Sequence, residues 1–202
     1  MLKPNLTHLA AAACLLAGAG AAQATLDQSA PYAGGTIGVS NFSNWQQEVQ
    51  AGLTGTLLGI ELYRRPGGTS PTLNLYLNRG TGWQTDANDL SLAVPMAVPE
   101  GWTYIDLSSA GFNVVAGDRF VIGLISVVPR DWCCNFGTGF GNFPEGYPLG
   151  TLYANGDAFS FDMAFRTYVG VVPEPASAAL LLAGLGLSLL AARKRKGQQP
   201  QS

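Results

Sequence analysis

Ala176–Ala192 constrains this chain more than any other stretch: seventeen positions without a charge, whose only polar side chains are Ser177 and Ser188. At ~1.5 Å per residue, a helix of that length reaches about 25 Å, the short end of a bilayer core. Its leucines favour lipid, and a helix satisfies its own backbone groups there. Pro173 and Pro175 cannot continue such a helix inward, so it starts just after them. Arg193, Lys194, Arg195 and Lys196 follow at once. The positive-inside rule keeps those four on the cytoplasmic side and places everything before Val172 outside. One C-terminal transmembrane helix is expected, because a buried core helix would not run straight into four cations.

The other end reads as an export signal. Lys3 precedes an apolar core, Leu9–Ala22, and Ala22-Gln23-Ala24 supplies the small-x-small pattern of a signal-peptidase site. Cleavage after Ala24 is expected, and Cys14 is then lost with the signal. The chain divides into a signal peptide (1–24), one exported domain (25–171), an anchoring segment (172–196) and a short tail (197–202). The exported part has the size of a single domain.

Its charges exclude several functions. Between Thr25 and Val172 there are twelve acids and six bases, all arginine, so 6 − 12 gives a net charge of −6. A module of that charge repels phosphate backbones, which argues against nucleic acid as a partner. The only histidine (His8) and every lysine (Lys3, Lys194, Lys196) fall in the terminal signals. Without them, no Ser-His-Asp or Cys-His device, histidine-ligated metal or lysine Schiff base can be assembled. Paired carboxylates remain, since glycoside hydrolysis needs only two, but no pair stands out. No catalytic residue is expected.

The middle is punctuated into short strands. Leu58, Ile60 and Leu62 alternate with Gly59, Glu61 and Tyr63, and Leu73, Leu75 and Leu77 alternate with Asn74, Tyr76 and Asn78. Thr36–Ser40, Trp45–Val49, Trp102–Leu107, Arg119–Ser126 and Phe159–Tyr168 are further candidates. Turn signals separate them at Arg65-Pro66-Gly67-Gly68, Asn78-Arg79-Gly80, Pro99-Glu100-Gly101, Ala116-Gly117-Asp118 and Asn155-Gly156-Asp157. Strands with one apolar face need a second sheet to cover them, so an all-β sandwich is expected.

Cys133-Cys134 are the only cysteines left after export. In an oxidising compartment they pair with each other or with another chain, and a vicinal disulfide stiffening its loop is favoured over two free thiols. Around them runs a glycine-rich aromatic stretch with no clear strand pattern, containing Trp132, Phe136, Phe140, Phe143 and Tyr147. Trp132, Phe140 and Tyr147, with Trp83 in its own turn, are candidates for stacking on sugar rings. The competing reading buries the same rings in the core. Asp86, Asn88 and Asp89, and separately Asn155 and Asp157, carry oxygens suited to calcium, yet without EF-hand spacing they read as turn residues. No metal or other cofactor is expected.

The order Pro173-Glu174-Pro175, apolar helix, basic cluster resembles the PEP-CTERM sorting signal of Gram-negative bacteria. The resemblance implies recognition by a membrane-embedded exosortase that cuts near the Pro-Glu-Pro, making those three residues parts of a substrate. The domain is similar to exported PEP-CTERM proteins with a jelly-roll, carbohydrate-binding-like sandwich. The similarity lies in Gly52–Leu57 running into Ile60–Tyr63, Trp102–Gly117, Gly150–Tyr153 and Asp162–Thr167. That similarity implies a fold more than an activity. Taken with the two signals, the expected protein is non-enzymatic, belongs to the cell surface or exopolysaccharide matrix, is processed by signal peptidase and exosortase, and is held in the membrane beforehand. The rival reading is a secreted carbohydrate-active enzyme with a carboxylate pair.

Overall fold

The computed structural model describes residues 23–67, 72–95, 99–126, 132–138 and 146–171, with the side chains of residues 132, 133 and 171 excepted. The sorting segment, the basic cluster and the expected transmembrane helix lie outside them. Among the described residues no helix is long and apolar enough to cross a membrane. The compact unit Gln23–Val171 is all β.

Two antiparallel sheets share one hydrophobic core. The first runs in the order β1 (Gln23–Ala30), β13 (Phe165–Val171), β4 (Gly55–Arg65), β10 (Trp132–Thr138) and β2 (Gly35–Ser40). In it β7 (Gly101–Asp106) and β8 (Asn113–Val114) also pair with β4. The second runs β12 (Asp157–Phe159), β11 (Leu152–Ala154), β3 (Trp45–Gln50), β9 (Arg119–Ile125), β5 (Thr72–Arg79) and β6 (Leu90–Pro95).

Period-two alternation decides which side chains fill the core. Leu73, Leu75 and Leu77 are fully buried, with Leu75 opposite Leu124 and Leu77 opposite Ile122 of β9. On β4 the expected phase holds at Ile60 and Leu62 and is corrected only at Leu58, whose place in the core Leu57 takes. Pairing with β13 slips between Tyr168 opposite Gly59 and Val169 opposite Leu57. This bulge sends Leu57 into the core with Ile60 and Leu62 and turns Leu58 out over Gly170.

The expected strand Phe159–Tyr168 is broken into β12 and β13. Asp162 breaks it: its carboxylate accepts from Gln47 Nε2 (2.9 Å) and from Tyr147 N (2.7 Å), while Gln47 Oε1 accepts from Met163 N (2.8 Å). Side chains thus take the backbone bonds a neighbouring strand would have used. The stretch read as a loop around the cysteines contains β10, whose Cys134, Phe136 and Thr138 are buried between β2 and β4.

Candidate functional site

The four aromatic candidates do not converge. Tyr147 belongs to the core, only 5% exposed, with its ring edge-on to Phe165 at 5.1 Å. Its glycan-contact reading is therefore corrected. β11 accompanies β3 only along Trp45–Gln47, and Glu48 N still reaches Thr151 O (2.9 Å). At Gln50 the Tyr147 hydroxyl takes over, accepting from Gln50 N (3.0 Å) and donating to Gln50 O (3.1 Å). Burial pushes its pKa up to about 12. Phe140 and the Trp132 side chain lie outside the described residues. Cys134 is buried and disulfide-bonded, and its neighbour Cys133 occupies a bulge between Trp132, opposite Ser40, and Cys134, opposite Val39.

Trp83 has a different setting, on the outer face of the six-stranded sheet. The groundwork is a row of paired residues crossing five strands: Tyr153, Gln46, Gly123, Tyr76 and Ser91. Gly123 has no side chain, so the Tyr76 ring lies over it; a Cβ there would overlap the ring. The Tyr76 hydroxyl then accepts from Gln46 Nε2 (2.9 Å) and donates to Asn44 Oδ1 (2.5 Å). Gln46, fully buried, also clasps the loop of residues 80–89 as a strand would. Its Nε2 donates to Gln84 O (2.7 Å) and its Oε1 accepts from Gln84 N (2.8 Å). Gly82, at a φ of 70°, permits the tight turn before Trp83.

The clasped loop and the sheet enclose a recess of about 350 Å³. Tyr76 and Asn44 border it beside Ile125, half-buried Trp83 and Gln84 line it, and exposed Asp86 and Asn88 stand at its rim. Amide, hydroxyl and carboxylate groups beside an indole match the chemistry of a hydroxyl-rich ring with an apolar face. Burial raises the Tyr76 pKa against the opposing hydrogen bonds from Gln46 and Asn44, so the phenol remains a neutral donor. The structure thus brings Trp83 together with Asp86 and Asn88. Tyr76, Asn44 and Gln84 were missed; the isolated glycine in the strand containing Gly123 was the available signal for a side chain crossing overhead.

Asp89 points elsewhere, its carboxylate accepting from Arg79 N (2.6 Å) to close the hairpin. Asn155 is likewise engaged with backbone, accepting from Asn44 N (3.0 Å) and donating to Phe42 O (2.8 Å). Among the described residues no three Asp, Glu, His or Cys side chains cluster to hold a metal. Half-buried Asp27 and buried Asp162 also have structural tasks. Asp27 accepts from Gly52 N (2.9 Å) and Leu53 N (2.7 Å), and burial raises its pKa despite those bonds. Asp162 shifts upward for the same reason.

β13 closes the domain at Val171, and Gln23 at the start of β1 lies opposite it, so the chain enters and leaves the unit at one place. The sequence running on from that point carries a known motif. Residues 171–196 match the PEP-CTERM protein-sorting motif. A PEP-CTERM segment marks an exported surface protein that is membrane-anchored until exosortase processes it. Pro173, Glu174 and Pro175 fall inside the matched segment, as do Arg193, Lys194, Arg195 and Lys196. No curated protein matches the chain.

Proposed function

We propose that this chain is a non-catalytic protein of the Gram-negative cell surface or exopolysaccharide matrix, and that its domain contacts a glycan at the Trp83 recess. Signal peptidase removes residues 1–24, and a helix over Ala176–Ala192 holds the chain until exosortase acts at Pro173–Pro175. Cleavage after Ala24 trims only the first two residues of β1 and leaves its pairing from Thr25 opposite Val169 onward. The two sheets fit a sandwich of jelly-roll type. Cys134 pairs with Cys133, the only other cysteine left after export, and no metal is needed.

One observation carries the glycan reading: Trp83 is held against the sheet by the Gln46 clasp, beside the Tyr76 hydroxyl and the Asn44, Asp86 and Asn88 side chains. An indole surrounded by amide and hydroxyl groups, with Asp86 the one carboxylate among them, favours a neutral sugar over an anionic ligand. The engaged acids support a non-enzymatic role, since Asp27 and Asp162 are each spent on backbone donors and Glu48 on Arg119. The test is binding of the exported chain to the host exopolysaccharide and to a glycan array. Trp83→Ala should weaken saturable binding by about tenfold or more, the usual effect of truncating a contact anchor. Undiminished binding by a folded Trp83→Ala chain would refute the assignment.

A further inference from the structure

The tyrosine-over-glycine arrangement occurs a second time, on the outer face of the seven-stranded sheet. Tyr104 of β7 lies opposite Glu61 of β4, which lies opposite Arg166 of β13. The Tyr104 ring turns diagonally over Gly59, where a Cβ would overlap its hydroxyl and ring carbons, and its hydroxyl donates to Leu58 O (3.2 Å). The two copies differ in what lies above the ring. Tyr76 sits beneath the clasped 80–89 loop and is 4% exposed, whereas Tyr104 is 48% exposed.

The surroundings of that bare ring are fixed in place. Glu61 Oε2 accepts from Arg166 Nη1 (3.0 Å) and from the Tyr168 hydroxyl (2.7 Å). Arg166 stacks its guanidinium on Trp102 at 4.0 Å from the ring centre, and Tyr168 stands edge-on to Tyr104 at 5.8 Å. Exposed Asp106 lies opposite Gly59, on the same face. The register sets both carboxylates beside the Tyr104 phenol, and they add to burial in raising its pKa. A ring face ready for stacking is thus bordered by a guanidinium and two carboxylates, Glu61 paired with Arg166 and Asp106 accepting from Ser108 N (2.9 Å).

We infer that Tyr104, with Glu61, Arg166 and Asp106, forms a saccharide-stacking site for a neutral, hydroxyl-rich polysaccharide, separate from the Trp83 recess. A pyranose presents an apolar C–H face of about the size of a phenol ring, and its hydroxyls both donate to carboxylates and accept from guanidinium. Charge argues for a neutral strand: Glu61 and Arg166 cancel, leaving Asp106 to repel polyanions. Because each of these groups is already held by a hydrogen bond, Glu61 with Arg166, Tyr104 to Leu58 O and Asp106 from Ser108 N, little ordering is required on contact. If the recess also takes a glycan, one domain can bridge two strands, and only that consequence rests on the proposed function.

The test is affinity electrophoresis of the full chain in detergent through gels containing hydroxyethylcellulose, galactomannan, xylan or, as the acidic comparison, polygalacturonate. At least one neutral polymer should retard the wild type. Tyr104→Ala, at an exposed position, should raise that dissociation constant about tenfold, Tyr104→Phe should keep most of the binding, and Trp83→Ala should leave the Tyr104 contribution in place. Three results would overturn the inference: wild-type retardation by none of the neutral polymers, retardation by polygalacturonate alone, or unchanged retardation of Tyr104→Ala. In the last case, loss of binding in Trp83→Ala would leave the recess standing as the sole site.

Discussion

Removing one oxygen atom, in Tyr147→Phe, tests whether a side-chain hydroxyl really completes the edge of β3. The ring stays in place against Phe165, so no cavity opens and only the two bonds to Gln50 are lost. Neutral hydrogen bonds contribute about 1 kcal/mol each, and backbone groups left unsatisfied cost about 1–3 kcal/mol, so the loss should lie near 2 kcal/mol. In a unit the size of Gln23–Val171, each kcal/mol moves Tm by about 2–4 °C, giving a drop of roughly 4–8 °C. Urea denaturation should show the midpoint falling with its slope unchanged, because the native fold buries the same surface. Alkaline titration supplies an independent signature. The phenol ionises near 12 in the folded chain against an ordinary 10.0, so its contribution is intact below the lower value and lost as pH rises through the higher one. The variant should lack that late-ionising tyrosine. A midpoint within about 0.3 kcal/mol of the wild type would refute the reasoning, showing that water serves Gln50 as well as the hydroxyl does.

Two further substitutions probe the other devices. Asp162→Asn gives one of its two donors no acceptor and should destabilise the domain by about 1–3 kcal/mol at neutral pH, read by the same urea titration. Because burial raises the Asp162 pKa, its carboxyl contributes stability that is full below its ordinary value of 3.8 and declines as pH rises through the raised one; the variant should lose that slope. Gly123→Ala drives a methyl into the Tyr76 ring, which Asn44, Gln46 and the overlying loop hold down, so it should cost several kcal/mol. Gly59→Ala makes the same intrusion beneath an exposed ring that can lift away, and should cost about 1 kcal/mol or less. Equal losses in the two unfolding curves would contradict the covered-versus-bare distinction.

What could be read from the chain follows from how far each feature reaches along it. The sorting segment is a linear order of proline, apolar run and cations, and Leu73, Leu75 and Leu77 announce a strand through their own spacing. The unit's all-β character followed from many such local patterns. The strand β10 was hidden because Cys133-Cys134 and Gly137 break the alternation, and because a bulge at Cys133 shifts the phase. Tyr147 misled for a related reason. Its immediate neighbours, Gly146 and Pro148, read as a turn, yet its burial is set by Phe165 and by the bare edge of β3 at Gln50.

The site residues were harder still, because each depends on register between strands. Gly59 and Gly123 read as neutral positions on an outward face. Their meaning appears only when pairing sets Gly59 opposite Asp106 and Gly123 opposite Tyr76, which brings a tyrosine within reach of each gap. An isolated glycine within an alternating strand does mark a close approach, but not which side chain approaches. What lies above each ring is then decided by connections: the 80–89 loop ends in the Gln46 clasp over Tyr76, while Tyr104 sits on the outer face of β7. The same local device is therefore structural on one sheet and available for binding on the other, and the two glycine substitutions should separate those roles.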